Sequence, residues 1–247
     1  MLWFGIVIAL QVACIVHVFR AGRNPAWVMA IAFLPMIGMA AYFIVEVLPN
    51  LSRDRRVREV KATIADSIDP ERRVRDARDA VEFSDTVAHR LDYGDALMGR
   101  ERHVQALEQY RTAERMSAHA DAAIGMRIAE AAYQAERTGE ALTALDRLPE
   151  TGSQSERDRR DLLRAKVLEL DGQDAAALAL YRRIVDRVAG DEVRCRMAAL
   201  LIAGGDRGGA RRLLQDVAAR MKRLPAATLK ADAAMYDWAK RQLVELG

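Results

Sequence analysis

The amino-acid sequence predicts an all-α chain in which a two-helix transmembrane hairpin precedes an array of helical hairpins. Three observations carry that reading. Two apolar segments, Leu2 to Phe19 and Ala26 to Val45, fill most of residues 1–48 and contain no formal charge. The remainder is rich in Ala, Arg, Leu, Asp and Glu and poor in aromatic and β-branched runs, a composition that favours helices. Small and large residues in that remainder recur at a fixed step of 33 positions, the mark of a stacked repeat.

The hairpin comes first. A helix rises about 1.5 Å per residue, so about 20 apolar residues cross the hydrocarbon core of a bilayer. The second segment meets that length and the first falls slightly short. The joint between them, Arg20-Ala-Gly-Arg23-Asn-Pro25, is basic. Met1 is followed at once by Leu2, Trp3 and Phe4, without the basic leader of a cleaved signal peptide. A second apolar segment directly behind the first also favours a retained hairpin. Arg53, Arg55, Arg56, Arg58 and Lys61 follow the second segment, against Arg20 and Arg23 in the joint. That excess places the rest of the chain in the cytoplasm. The same arginines are positioned to meet anionic lipid headgroups, at about 1 kcal/mol each. Trp3 and Trp27 fall where the segments meet the membrane interface.

Within the second segment, Trp27, Leu34-Pro35, Gly38 and Tyr42 stand behind the arginine-bearing joint. This pattern resembles the two-helix N-terminal module found ahead of phospholipase D-type domains, including bacterial cardiolipin synthases. The resemblance implies a two-pass anchor in a bacterial inner membrane. Pro35 removes a backbone donor and bends the helix, and Gly38 lets a partner helix approach. Trp27, Pro35, Gly38 and Tyr42 are therefore expected to shape the hairpin, with Gln11 or His17 able to hydrogen-bond across it. Phospholipase D chemistry itself is excluded. It needs His-x-Lys-x4-Asp, and none of His17, His89, His103 and His119 has a lysine two residues on.

Residues 49–85 read as a charged helical linker, with nine basic and nine acidic side chains between 51 and 85. Residues 86–247 read as the repeat domain. Ala132, Ala165 and Ala198 form one column, Ala144, Ala177 and Ala210 a second, and Gly139, Gly172 and Gly205 a third. Leu148, Tyr181 and Leu214 form a column of large residues. Upstream, Gly94, Ala106 and Tyr110 continue the pattern in a slightly longer unit, whose turn carries Glu101 in place of glycine. Two antiparallel helices approach closely where small side chains meet, a large residue fills the gap to the next pair, and glycine ends the first helix in a left-handed conformation. These columns resemble the tetratricopeptide repeat over about residues 86 to 220. Leu229, Ala233, Tyr236, Ala239, Leu243 and Leu246 then share one face of a final helix, expected to cap the array. The whole arrangement is similar to a bacterial family that joins such an anchor to such repeats. Asp69-Pro70-Glu71-Arg72, the Ala-Leu-Met stretch at 96–98 and the Tyr236-x-Trp238-Ala239-Lys240-Arg241 ending fit it, and the resemblance implies no established chemistry.

No phosphate loop, serine elbow, zinc helix or dinucleotide fingerprint is present in the sequence. The glycine-rich run from Gly204 to Gly209 falls where a repeat needs its turn. Cys14 and Cys195 lack metal or disulfide spacing and read as packed small residues. A net charge of +3, small beside 38 basic and 35 acidic side chains, makes a mixed-charge surface and gives no case for nucleic acid. The expectation is a non-enzymatic chain without metal or cofactor. Its binding groove would be lined by the first helix of each repeat. The groove candidates are Asp92, Asp95, Glu130, Tyr133, Arg137, Arg159, Lys166 and Arg196, mixed in sign and unlike a clamp for a C-terminal carboxylate. The expected function is that of a membrane-anchored adaptor recruiting a protein or peptide partner. The alternative is an accessory subunit of a lipid or envelope biosynthesis complex, acting through its hairpin.

Overall fold

The computed structural model describes residues 11, 12, 14–16, 18–20, 26–33, 41, 69–149 and 152–247. Among these every regular element is helical. The chain divides into two compact units, Met1–Arg72 and Arg73–Gly247.

In the first unit, the described residues between 11 and 20 are helical, and α1 spans Ala26–Phe33. Val18 and Ile31 bury each other fully, with Cys14, Ile15, Trp27 and Val28 packed around them. Gln11 Nε2 donates to the backbone oxygen of Ile31 at 2.8 Å. The two apolar segments therefore pair, and one of the two polar side chains expected to bridge them does so. The outward residues are also apolar: Val12, Val16, Phe19, Met29 and Phe33 are all exposed. Among the described residues no helix is long and apolar enough to cross a membrane. Pro35, Gly38, Tyr42, His17 and the arginines at 53, 55, 56 and 58 lie outside the described residues, so of the anchor residues Trp27 alone is placed.

The second unit starts with α2 (Arg72–Phe83), whose Val74 enters the first core cluster although it lies within the charged stretch. Four helix pairs follow: α3 (Val87–Met98) with α4 (His103–Met116), α5 (Ala122–Gln134) with α6 (Thr138–Asp146), α7 (Gln154–Leu170) with α8 (Asp174–Ile184), and α9 (Glu192–Ala203) with α10 (Arg207–Met221). The short α11 (Ala226–Ala231) and α12 (Ala233–Glu245) end the chain. From α3 to α10 each helix packs on the next, α5 also touches α7, and α12 lies on α9, α10 and α11. Side chains start these helices where the sequence offers them. Thr86 caps α3, Asp121 caps α5, Asp206 caps α10, and Ser153 with Glu156 forms a reciprocal capping box at α7.

The core passes along the array in three overlapping clusters. The first runs from Val74 to Val167, the second from Ala165 to Met197, and the third from Cys195 to Ala239. α7 and α9 each face two clusters, which is how a stacked array buries a continuous core without one centre. Tyr236 and Ala239 of α12 are buried in the third cluster, with Leu229, Leu243 and Leu246 beside them. The expected single face is interrupted, because the chain turns at Asp232, Leu229 belongs to α11 and Ala233 is exposed.

The repeat register differs from the uniform 33-residue step. Each first helix ends on a left-handed residue: Glu101, Glu136, Gly172 and Gly205. These positions are 35, 36 and 33 residues apart. At each, the following N–H closes the helix end, from Arg102 to Leu97 O, Arg137 to Ala132 O, Gln173 to Leu168 O and Asp206 to Leu201 O, at 2.8–3.0 Å. Gly139 is not the turn of its repeat; it sits inside α6 with no positive φ. The aligned columns are Gly94, Ala129, Ala165 and Ala198; Ala106, Ala141, Ala177 and Ala210; and Tyr110, Leu145, Tyr181 and Leu214. All of these are buried. Leu145 therefore takes the place expected for Leu148. The closest approach is at Gly94, where a Cβ would stand 2.3 Å from the Tyr110 ring.

Candidate binding face

A cleft of about 740 Å³ opens where α3, α5 and the start of α7 converge. Met98, Met126 and Leu148 supply its apolar lining. Tyr110 projects from α4 and donates its hydroxyl to Asp95 at 2.6 Å. Burial, with the Asp95 charge added, pushes the Tyr110 phenol well above its ordinary pKa. Arg127 Nε donates to the same carboxylate at 3.1 Å, so Asp95 is shared between α4 and α5.

The far wall is the first turn of α7. Glu156 accepts from the Ser153 backbone N–H at 2.6 Å and from its hydroxyl at 2.8 Å, and these bonds hold its carboxyl below the usual range. Three arginines stand beside it. Arg157 donates to the Gly152 carbonyl at 2.7 Å and to Gln154 Oε1 at 2.9 Å. Arg160 donates to the Pro149 carbonyl at 2.9 Å. Arg159 is exposed and forms no ion pair among the described residues. The neighbouring aspartates are paired on the other side, Asp158 with Arg187 and Asp161 with Arg183, both at 2.8 Å.

Further along the array the charges neutralise one another. Tyr181 donates to Glu169 at 2.6 Å, and Arg196 bridges Glu169 at 3.2 Å and Glu192 at 3.0 Å. Lys166 meets Glu192 at 2.7 Å. Burial raises the Glu192 pKa, but Lys166 and Arg196 outweigh it and the net displacement is downward. A second cleft, about 540 Å³, borders this network and is lined in part by Cys195, Met235 and Trp238. Burial, then the charges of Asp191 and Glu192, push the Cys195 thiol up to about 11. It stays protonated at neutral pH and is a poor nucleophile.

Two aspartates are buried, Asp158 and Asp191, with 7% and 2% of their surface exposed. They are one repeat apart, and so are their partners Arg187 and Arg220. Arg187 donates to Asp158 at 2.8 Å, and Arg220 Nε donates to Asp191 at 2.6 Å. The Tyr236 hydroxyl also donates to Asp191 at 3.2 Å, tying α12 to the last repeat. Each clamp joins the start of a first helix to the chain at or beyond the end of its second. The hydrogen bonds from Arg187 hold the Asp158 carboxyl below its ordinary pKa.

The eight groove candidates divide accordingly. Asp95, Glu130 and Arg159 line the first cleft, and Arg196 lines the second. Lys166 belongs to the neutralised network, and Tyr133 bears electrostatically on Tyr181 and Arg196. Arg137 pairs with Glu140 at 3.6 Å at a turn, and Asp92 is exposed outside both clefts. Arg127, Arg157 and Arg160 complete the first cleft and were not singled out by the sequence. Their run was visible, but a charge run on a helix does not disclose which charges are already paired. Among the described residues, no group of His, Cys, Asp or Glu could hold a metal ion. No protein-family model matches the chain, and no curated protein is similar to it in sequence.

Proposed function

We propose that this chain is a non-catalytic, membrane-anchored adaptor, with a tetratricopeptide-like array that recruits a protein or peptide partner at the membrane surface. The observation that carries the reading is the 740 Å³ cleft on the first-helix face, where an apolar lining meets three arginines, Arg157, Arg159 and Arg160, that form no ion pair among the described residues. Such a combination of apolar contact and orienting charge suits a peptide segment. The anchor half rests on the paired apolar segments, whose outward residues Val12, Val16, Phe19, Met29 and Phe33 expose the apolar surface that lipid would cover. By the basic residues that follow the second segment, the array belongs on the cytoplasmic side of a bacterial inner membrane.

Recovery of the full chain from detergent-solubilised membranes tests the reading. A stoichiometric partner is expected, and none would contradict it. The same outward apolar residues of the hairpin favour a second reading, an accessory subunit of a lipid or envelope complex that acts through its hairpin. Replacing the hairpin by an unrelated two-pass anchor separates the two: the adaptor keeps its function, whereas the accessory subunit loses it.

A further inference from the structure

The charges on the first-helix face are not evenly compensated. Around α7 and α9, Lys166, Arg196, Glu169 and Glu192 close on one another at 2.7–3.2 Å. At the first cleft the balance differs. Arg127 is matched by Asp95, while Glu156 keeps its charge and is held in place by the neutral donors of the capping box. Among the described residues, Arg157 and Arg160 donate to backbone carbonyls and an amide, and Arg159 donates to none. Among the described residues of the cleft, two carboxylates stand against these three cations: Glu156, and Glu130, whose hydrogen bond is to Gln134 at 3.3 Å. The acidic neighbours that would normally screen the run, Asp158 and Asp161, are held by Arg187 and Arg183. Beside this excess lie the flexible side chains of Met98 and Met126 and the branched Leu148.

We propose that the first cleft takes an acidic peptide segment, whose carboxylates meet Arg157, Arg159 and Arg160 while an apolar side chain enters against Met98, Met126 and Leu148. This rests on the adaptor reading and specifies its partner by chemistry. Guanidinium groups not committed to internal carboxylates keep donor capacity for an incoming one, and such charge-assisted bonds are roughly twice as strong as neutral ones. Methionine lining tolerates several apolar side chains, so specificity falls on the charge pattern. A basic segment would be repelled by the same arginines.

The test uses the full chain in detergent and three labelled peptides of alternating sequence, Glu-Leu, Lys-Leu and Gln-Leu, followed by fluorescence anisotropy. The Glu-Leu peptide is expected to bind, the Gln-Leu peptide more weakly, and the Lys-Leu peptide not at all. Arg159→Glu, which breaks no internal bond, should weaken Glu-Leu binding about tenfold, which corresponds to about 1.4 kcal/mol. Arg212→Glu, an equal charge change at an exposed site outside the cleft, should leave it unchanged. Equal binding of all three peptides, or equal loss in the two variants, overturns the proposal. Membrane recovery with Arg159→Glu separates this proposal from the adaptor reading. A partner retained by the variant sinks the cleft assignment alone, a partner lost by the variant and kept by Arg212→Glu supports it, and no partner for the native chain sinks both.

Discussion

At the residue scale, the packing rests on where small side chains stand. Gly94→Ala puts a methyl group into the Tyr110 ring, which is itself buried and hydrogen-bonded to Asp95. A loss of about 2 kcal/mol in urea unfolding is expected. Gly139→Ala is the contrast, since nothing lies within 4 Å of the added atom; a gain of about 0.5–1 kcal/mol is expected from helix formation alone. Had Gly139 been the turn of its repeat, the same change would destabilise. The turn is Glu136 at φ 58°, as Glu101 is in the preceding repeat. Glu136→Gly should therefore stabilise by about 0.5 kcal/mol, the strain relieved exceeding the added chain entropy. The sequence disclosed the helices, the small columns and the apolar face of α12. It did not disclose this register, for a physical reason. Ala129 and Ala132, like Ala141 and Ala144, lie three apart on one buried helix face, so a constant step and a shifted one place alanine equally well.

At the element scale, the Asp158–Arg187 and Asp191–Arg220 clamps hold helix pairs closed. They were not legible beforehand because a buried aspartate looks like any other in a chain with 35 acidic residues. Asp191→Ala removes the acceptor shared by Arg220 and Tyr236 and should cost about 2 kcal/mol, given that Arg220 is half exposed. Hydrogen exchange should accelerate in α9–α12 first, because an array of nearest-neighbour contacts confines the damage. The Asp158 carboxyl is depressed in the folded state, so its stabilisation is complete above the unfolded value of about 3.9 and is lost as pH falls through the lower folded value. Acid unfolding of Asp158→Asn should start from a lower stability at neutral pH and show a shallower loss below about pH 4.

At the scale of the whole molecule, two compact units are built in different ways. The first pairs apolar segments through Val18, Ile31 and the Gln11 hydrogen bond and turns further apolar residues outward. The second stacks helix pairs and closes with α12, leaving a cleft whose arginines outnumber their internal partners. Three of the eight residues expected in the groove line that cleft, Asp95, Glu130 and Arg159. The others entered internal ion pairs or lie elsewhere, because helical periodicity places a residue on a face without saying what neutralises it there. The most direct measurement of the central claim is crosslinking with mass spectrometry on the full chain in its native membrane. One stoichiometric partner is expected, with crosslinks that cluster on α3, α5 and the start of α7 and a crosslinked segment that is acidic. Absence of a partner, or crosslinks confined to the first unit, would contradict it.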